Sequence, residues 1–201
     1  MNFLGHLYFS GNDTELMVAN LYGDYVKGNK LHLLPPKIQE GVRLHRSIDN
    51  FIDTNPGVKE LFHHLYPLLP KIAGIAVDLY FDHLLAKNWK KYHPQDFKDF
   101  VNAFYQQTNH LVYEYSPSFL IMLDYMKKGD WLYNYKNIEG LDSAARGLSR
   151  RISFPNDLFK AKEVFIENET LITTHFNSYM QEAVDNFYCP GSQKLRNFNL
   201  K

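Results

Sequence analysis

Apolar residues return every three or four positions along most of this chain, the period of helices packed on one face. The stretch PPKIQEGVRLHRSIDNFIDTN, residues 35–55, opens on prolines and repeats at Ile38, Val42, Ile48 and Ile52. Asn55 and Pro56 then read as the cap and first residue of a short helix ending near Pro67. Upstream, Asn12 and Glu15 have capping-box spacing before LMVANLYGDYVKG, with Gly28 as a stop. A long helix is predicted over 71–92, another from Pro94 to about 115, and a third from Ser116–Pro117 to Gly129. Two more follow, from about Gly140 to Arg151 and from about Asp157 to Phe187. No segment sustains polar–apolar alternation, and no Asn-Gly or Asp-Gly turn marks a hairpin. No internal repeat or long Gly/Ser linker divides the chain. The pattern predicts one all-α domain over 1–201 with about eight to ten helices, since the breakers delimit about that many segments, and a loose tail from about Pro190.

Charged residues interrupt the apolar faces in two places. His45, Asp49 and Asp53 lie four apart, one column of a helix, between Ile48 and Ile52. Asp78 and Asp82 are also four apart, with His83 beside Asp82, on a stripe continued by Ile75, Leu85 and Trp89. His6, in an apolar segment, and Asp24, near the end of the first capped helix, are further candidates. Burying an unpaired carboxylate costs several kcal/mol or forces it to take a proton. Either Arg43 and Arg46 neutralise these groups as ion pairs, or divalent cations sit among them. Imidazoles with carboxylates suit Mn²⁺, Fe or Zn²⁺, and carboxylate-rich sites suit Mg²⁺ or Mn²⁺.

Each residue has a plainer role as well. His6 alone fits a hydrogen-bonded core histidine, Asp24 a solvent-facing helix end, and His45 with Asp49 a local pair. Asp78 with Asp82 is harder to explain structurally, because like charges four apart repel. Asp53 is expected at the surface end of its helix.

Composition narrows the classes. Lys+Arg and Asp+Glu both number 22, so no global field draws the chain to nucleic acid or a membrane. Cys189 is the single cysteine, which excludes an intramolecular disulfide and fits a reducing compartment. The start, MNFLGHLYFSG, lacks the basic region of a signal peptide, and IAGIAVDLYF is too short to span a bilayer. A soluble cytoplasmic protein is expected. Walker, GxGxxG, GxSxG, HExxH and CxxC motifs are absent. Two basic clusters, KNWKKY at 87–92 and RGLSRR at 146–151, read first as solvated helix ends.

Five segments carry a resemblance: NFLGHL (2–7), ANLYGDYVKGN (19–29), HRSIDNFID (45–53), DLYFDHLLAKNW (78–89) and GLSRR (147–151). Together they resemble the acyl carrier protein phosphodiesterase family, whose start usually has Ala where Gly5 stands. The specific motifs crowd the first half, and 100–140 offers none. The resemblance implies an all-helical fold distantly related to the HD metal-dependent phosphohydrolases. It implies hydrolysis of the phosphodiester joining 4′-phosphopantetheine to a serine of acyl carrier protein, typically with Mn²⁺. Carried onto this sequence, it makes His6, Asp24, His45, Asp82 and His83 metal ligands, with Asp49 in the same site. Asp78 becomes a ligand or a ligand's neighbour, and Arg46 would face the phosphate through a two-donor guanidinium. The HD label names a His-Asp order, whereas Asp82-His83 is reversed.

The expected chemistry is metal-assisted in-line hydrolysis, with Asp49 or Asp82 accepting the water's proton and His45 or His83 protonating the departing serine oxygen. Carrier proteins of this kind are small and acidic, so a basic docking surface is expected on Lys87, Lys90, Lys91, Arg146, Arg150 and Arg151. The rival readings are an HD-like phosphohydrolase acting on nucleotides, a metal-free helical interaction module, and a haem protein with an axial histidine. Oligomeric state is open.

Overall fold

A computed structural model describes residues 2–187, so the expected loose tail and Cys189 lie outside the described residues. Within them there are eleven α-helices and no strand. The first part holds α1 (Phe3–Phe9), α2 (Thr14–Leu21), α3 (Pro36–Thr54), α4 (Pro56–Leu65) and α5 (Ala73–Lys87). Then come α6 (Trp89–Tyr92), α7 (Phe97–Gln107), α8 (Pro117–Lys128), α9 (Trp131–Asn134), α10 (Ile138–Ser149) and α11 (Ala161–Phe187). Short 3₁₀ turns occupy Tyr22–Tyr25, Lys30–Leu33 and Leu158–Lys160.

The all-α expectation holds, and several ends fall where the residues placed them. The Asn55 side chain accepts from Val58 N–H, and Pro56 opens α4. Gly129 caps α8. Other ends shift. Asp13, not Asn12, caps α2 by accepting from Leu16 N–H. The helix expected over 71–92 breaks at Asn88, whose side chain donates to the Leu84 carbonyl. The one expected from Pro94 starts only after the Asp96 cap and stops at Thr108, whose hydroxyl bonds back to Tyr105 O. A bend at Asn168 interrupts α11.

The most buried helices explain the layout. Leu4 to Phe9 of α1 are all buried, as is α5 almost throughout from Ala76 to Ala86. Helices apolar on every side belong at the centre. Around α5 pack α1, α4, α10 and α11, while α2 lies along both α1 and α3. The α2–α3 crossing is close: a Cβ at Gly41 would sit 2.4 Å from that of Ala19. This packing brings the polar column of α3 against α1 and the turn after α2.

Candidate metal centre

The site is assembled by backbone restraints on three elements. α1 is fixed by Asp82, which is fully buried in α5. Its two oxygens accept from Leu4 N–H (2.7 Å) and Gly5 N–H (3.0 Å), the unpaired donors at the helix start. Burial raises this carboxyl to about 7, against the pull of those two amides. His6, one turn along, is then oriented by Asn20 of α2. The Asn20 amide nitrogen donates to the His6 carbonyl (3.0 Å) and to Ser10 Oγ (2.9 Å). Its oxygen is therefore left to accept from His6 Nδ1 (2.9 Å), which aims Nε2 of His6 away from the core.

His45 is held by contact. A Cβ at Gly23 would land 2.2 Å from Cγ of its ring, so only glycine lets the Tyr22–Tyr25 turn lie against it. That contact also brings Asp24 to the same ring. Nδ1 of His45 is buried with no hydrogen-bond partner, so its polar neighbours all converge on Nε2.

The convergence is tight. Asp49 places Oδ1 3.3 Å from His6 Nε2 and Oδ2 3.1 Å from His45 Nε2. Asp24 Oδ1 lies 3.3 Å from His45 Nε2, and the two imidazoles stack at 4.2 Å. His6, His45 and Asp49 offer ligand atoms all within 4.8 Å of one another. Electrostatics matches the geometry. Burial and the neighbouring His45 lower the pKa of His6, against the pull of Asp49. His45, despite burial, is raised to about 9 by Asp24 and Asp49. Asp49 is lowered well below the carboxylate range by both imidazoles, which outweigh its burial. A protonated His45 thus supplies the positive charge that the two carboxylates demand. Two imidazole nitrogens and a carboxylate are a donor set that fits a divalent cation in exchange for that proton.

The cluster forms the wall of a cavity of about 400 Å³, also lined by Asp53 and Asp78 and by apolar Phe3, Ile52, Ile75 and Leu148. Burial and the Asp78 and Asp49 carboxylates raise Asp53.

Residues 1–183 match the family described as acyl carrier protein phosphodiesterase. The chain belongs to that family. Proteins named acyl carrier protein phosphodiesterase from Salmonella agona and Salmonella newport are each 30% identical over 153 residues, 75% of this chain and 79% of theirs. One from Enterobacter sp. (strain 638) is 28% identical over 152 residues, with the same coverage. No solved structure matches.

Of the residues that the family resemblance singled out, the fold brings together His6, Asp24, His45, Asp49 and Asp78. Three others are not among the residues lining that cavity. Asp82 is occupied by the α1 amides. His83 donates from Nδ1 to the Tyr135 carbonyl (2.6 Å) and meets Phe165 edge-on, away from the cavity. Arg46 is exposed and donates to the Val26 carbonyl (3.1 Å). It follows His45 directly, and adjacent helical side chains point about 100° apart. Arg151 lines a neighbouring cavity that shares Asn2, Phe3 and Leu148 with this one. It sits 5.8 Å from the Trp131 ring and counters the upward push of burial and Asp24 on the Tyr25 phenol. Among the basic clusters, Lys87 pairs with Glu169 (2.7 Å) and Arg146 with Asp142 (2.9 Å).

Sequence reasoning missed Asn20 and Asp53 as parts of the site. The signal for Asn20 was an amide inside the apolar run LMVANL, within a quoted motif. Asp53 is the next member of the His45–Asp49 column and lies at the helix end as expected, yet it lines the cavity.

Proposed function

We propose that this protein hydrolyses the phosphodiester between 4′-phosphopantetheine and a serine of acyl carrier protein, releasing apo-carrier protein and free phosphopantetheine. The observation that carries the reading is the convergence of His6, His45 and Asp49 on one acidic cavity, in a chain of this family. These three residues would hold a divalent cation, with Asp24 beside them. Mn²⁺ suits two imidazoles among several carboxylates, and Mg²⁺, Fe and Zn²⁺ are the competitors. Such a cation supplies positive charge to the phosphoryl oxygens and lowers the pKa of a water.

The chain's own residues do the rest. Asn20 keeps His6 in the tautomer whose Nε2 is available. Asp78, on the cavity wall, accepts a proton from the attacking water. The P–O bond to the serine breaks, and Asp53, on the same cavity wall, relays a proton from solvent to the departing oxygen. Arg151 offers its guanidinium to the phosphate, the role first expected of Arg46. An acidic carrier protein would dock over Arg150 and Arg151, with Lys90 and Lys91 as an outlying patch. Cytoplasmic location belongs to the same proposal.

The test is the intact mass of holo-acyl carrier protein after incubation with Mn²⁺, Mg²⁺ or EDTA. Loss of the phosphopantetheine mass only with metal is expected. No loss in metal-loaded protein would move the substrate to a smaller phosphoester.

A further inference from the structure

A second cavity, of about 700 Å³, lies next to the metal centre and shares Asn2, Phe3 and Leu148 with its wall. Its volume is in the roughly 300–1,000 Å³ range of small-molecule sites. Trp131 and α10 form its sides, and Arg150 and Arg151 line it as well. Two α10 glycines line it for different reasons. A Cβ at Gly140 would lie 1.9 Å from the Asn134 carbonyl, so close packing accounts for that glycine. A Cβ at Gly147 would meet nothing within 4 Å. Packing therefore does not account for Gly147, and a glycine inside a helix weakens it. What it leaves is open space.

We propose that this second cavity seats the pantetheine arm of the substrate, together with any acyl group on its thiol. The inference rests on the phosphodiesterase reading above. In that reaction one phosphoryl oxygen leads to the serine of a folded protein too large to enter, and another leads to a thin, flexible arm. The arm must leave the phosphorus along a channel, and the adjoining cavity continues the metal site through shared walls. Its chemistry suits an arm of amides and methylenes. Phe3, Trp131 and Leu148 are apolar, while Asn2, Asn137 and Ser143 offer amide and hydroxyl groups. Arg151, which also lines this cavity and lies 5.8 Å from the Trp131 ring, offers its guanidinium to the phosphate where the arm begins.

Gly147→Leu tests this, because Gly147 lines the cavity and a Cβ there meets nothing within 4 Å, so the larger side chain takes up cavity space. Its melting temperature, expected at or above that of the parent, checks the fold. The readout is the ratio of kcat/KM on holo- and octanoyl-acyl carrier protein to that on bis(p-nitrophenyl) phosphate, which has no arm. The ratio is expected to fall about tenfold or more, further for the octanoyl form, since arm binding feeds the rate. An unchanged ratio overturns the inference. If the parent protein cleaves no carrier protein, the phosphodiesterase reading fails, and direct binding decides the cavity's role. Saturable quenching of Trp131 fluorescence by 4′-phosphopantetheine, lost in Gly147→Leu, would then support the seat. Its absence would overturn it. Trp89, the other tryptophan, is buried among Tyr8, His93 and Phe100 and gives a constant background.

Discussion

Two helices of this protein carry the same chemistry and use it differently. On α3, His45 and Asp49 meet His6 and Asp24 from other elements, and every partner is a side chain at the edge of a cavity. On α5, Asp82 and His83 also bury a carboxylate and an imidazole, but their partners are backbone groups: the amides of Leu4 and Gly5 and the carbonyl of Tyr135. A buried charge satisfied by backbone is committed to holding the fold. One satisfied by other titratable side chains keeps an exchangeable proton, and so keeps a place for a cation.

The largest effect should come from breaking the first group. Asp49→Ala is expected to abolish cation retention, read by elemental analysis of the purified protein. The hydrolytic rate should drop by about 10³-fold or more, as befits several kcal/mol of charge stabilisation. Full cation content in that variant would move the site elsewhere. The complementary change, Asp82→Ala, leaves two buried amides without an acceptor and should cost about 2–4 kcal/mol in denaturant unfolding. Below its melting point it should still bind one cation. If it unfolds no more easily but loses the cation, the contrast between the helices is reversed.

A smaller effect separates ligand from support. Asn20→Ala removes the acceptor for His6 Nδ1 and should weaken cation affinity about 10–100-fold without abolishing it, measured by calorimetric titration. An unchanged affinity would mean that packing alone orients His6.

The smallest effect is a pH dependence of the cation-free protein. His45 stands at about 9 in the fold against 6.5 for the free imidazole. The raised value means that its contribution to stability is complete below about 6.5 and is lost as pH rises through 9. In EDTA, the melting temperature should therefore decline between those limits. His45→Asn should flatten the decline. With a bound cation the proton is already displaced, and the slope should shrink.

The helical period and the caps made α3 and α4 legible, because those signals are local to the chain. The α3 half of the site was legible for the same reason: four-residue spacing places His45 and Asp49 on one face wherever the helix packs. His6 and Asp24 were suggested by their motifs, but nothing local showed that they would meet. The partners of Asp82 lie 77 and 78 residues earlier and are backbone amides, which no side-chain pattern reveals. The role expected of Arg46 rests on the family resemblance, and in the fold its exposed side chain donates to the Val26 carbonyl. The larger cavity was invisible because it depends on what Gly147 lacks, and because Trp131 lies in the region that offered no motif.

The bond between Asp82 and the first helix has a consequence for the order of events during synthesis. His6, Asp24, His45 and Asp49 leave the ribosome well before Asp82 does. Until α5 follows, the amides of Leu4 and Gly5 at the start of α1 lack their carboxylate acceptor, and α1 is held by α2 without α5. A chain halted before residue 82 would carry His6, His45 and Asp49 without the α5 carboxylate that fixes the start of α1.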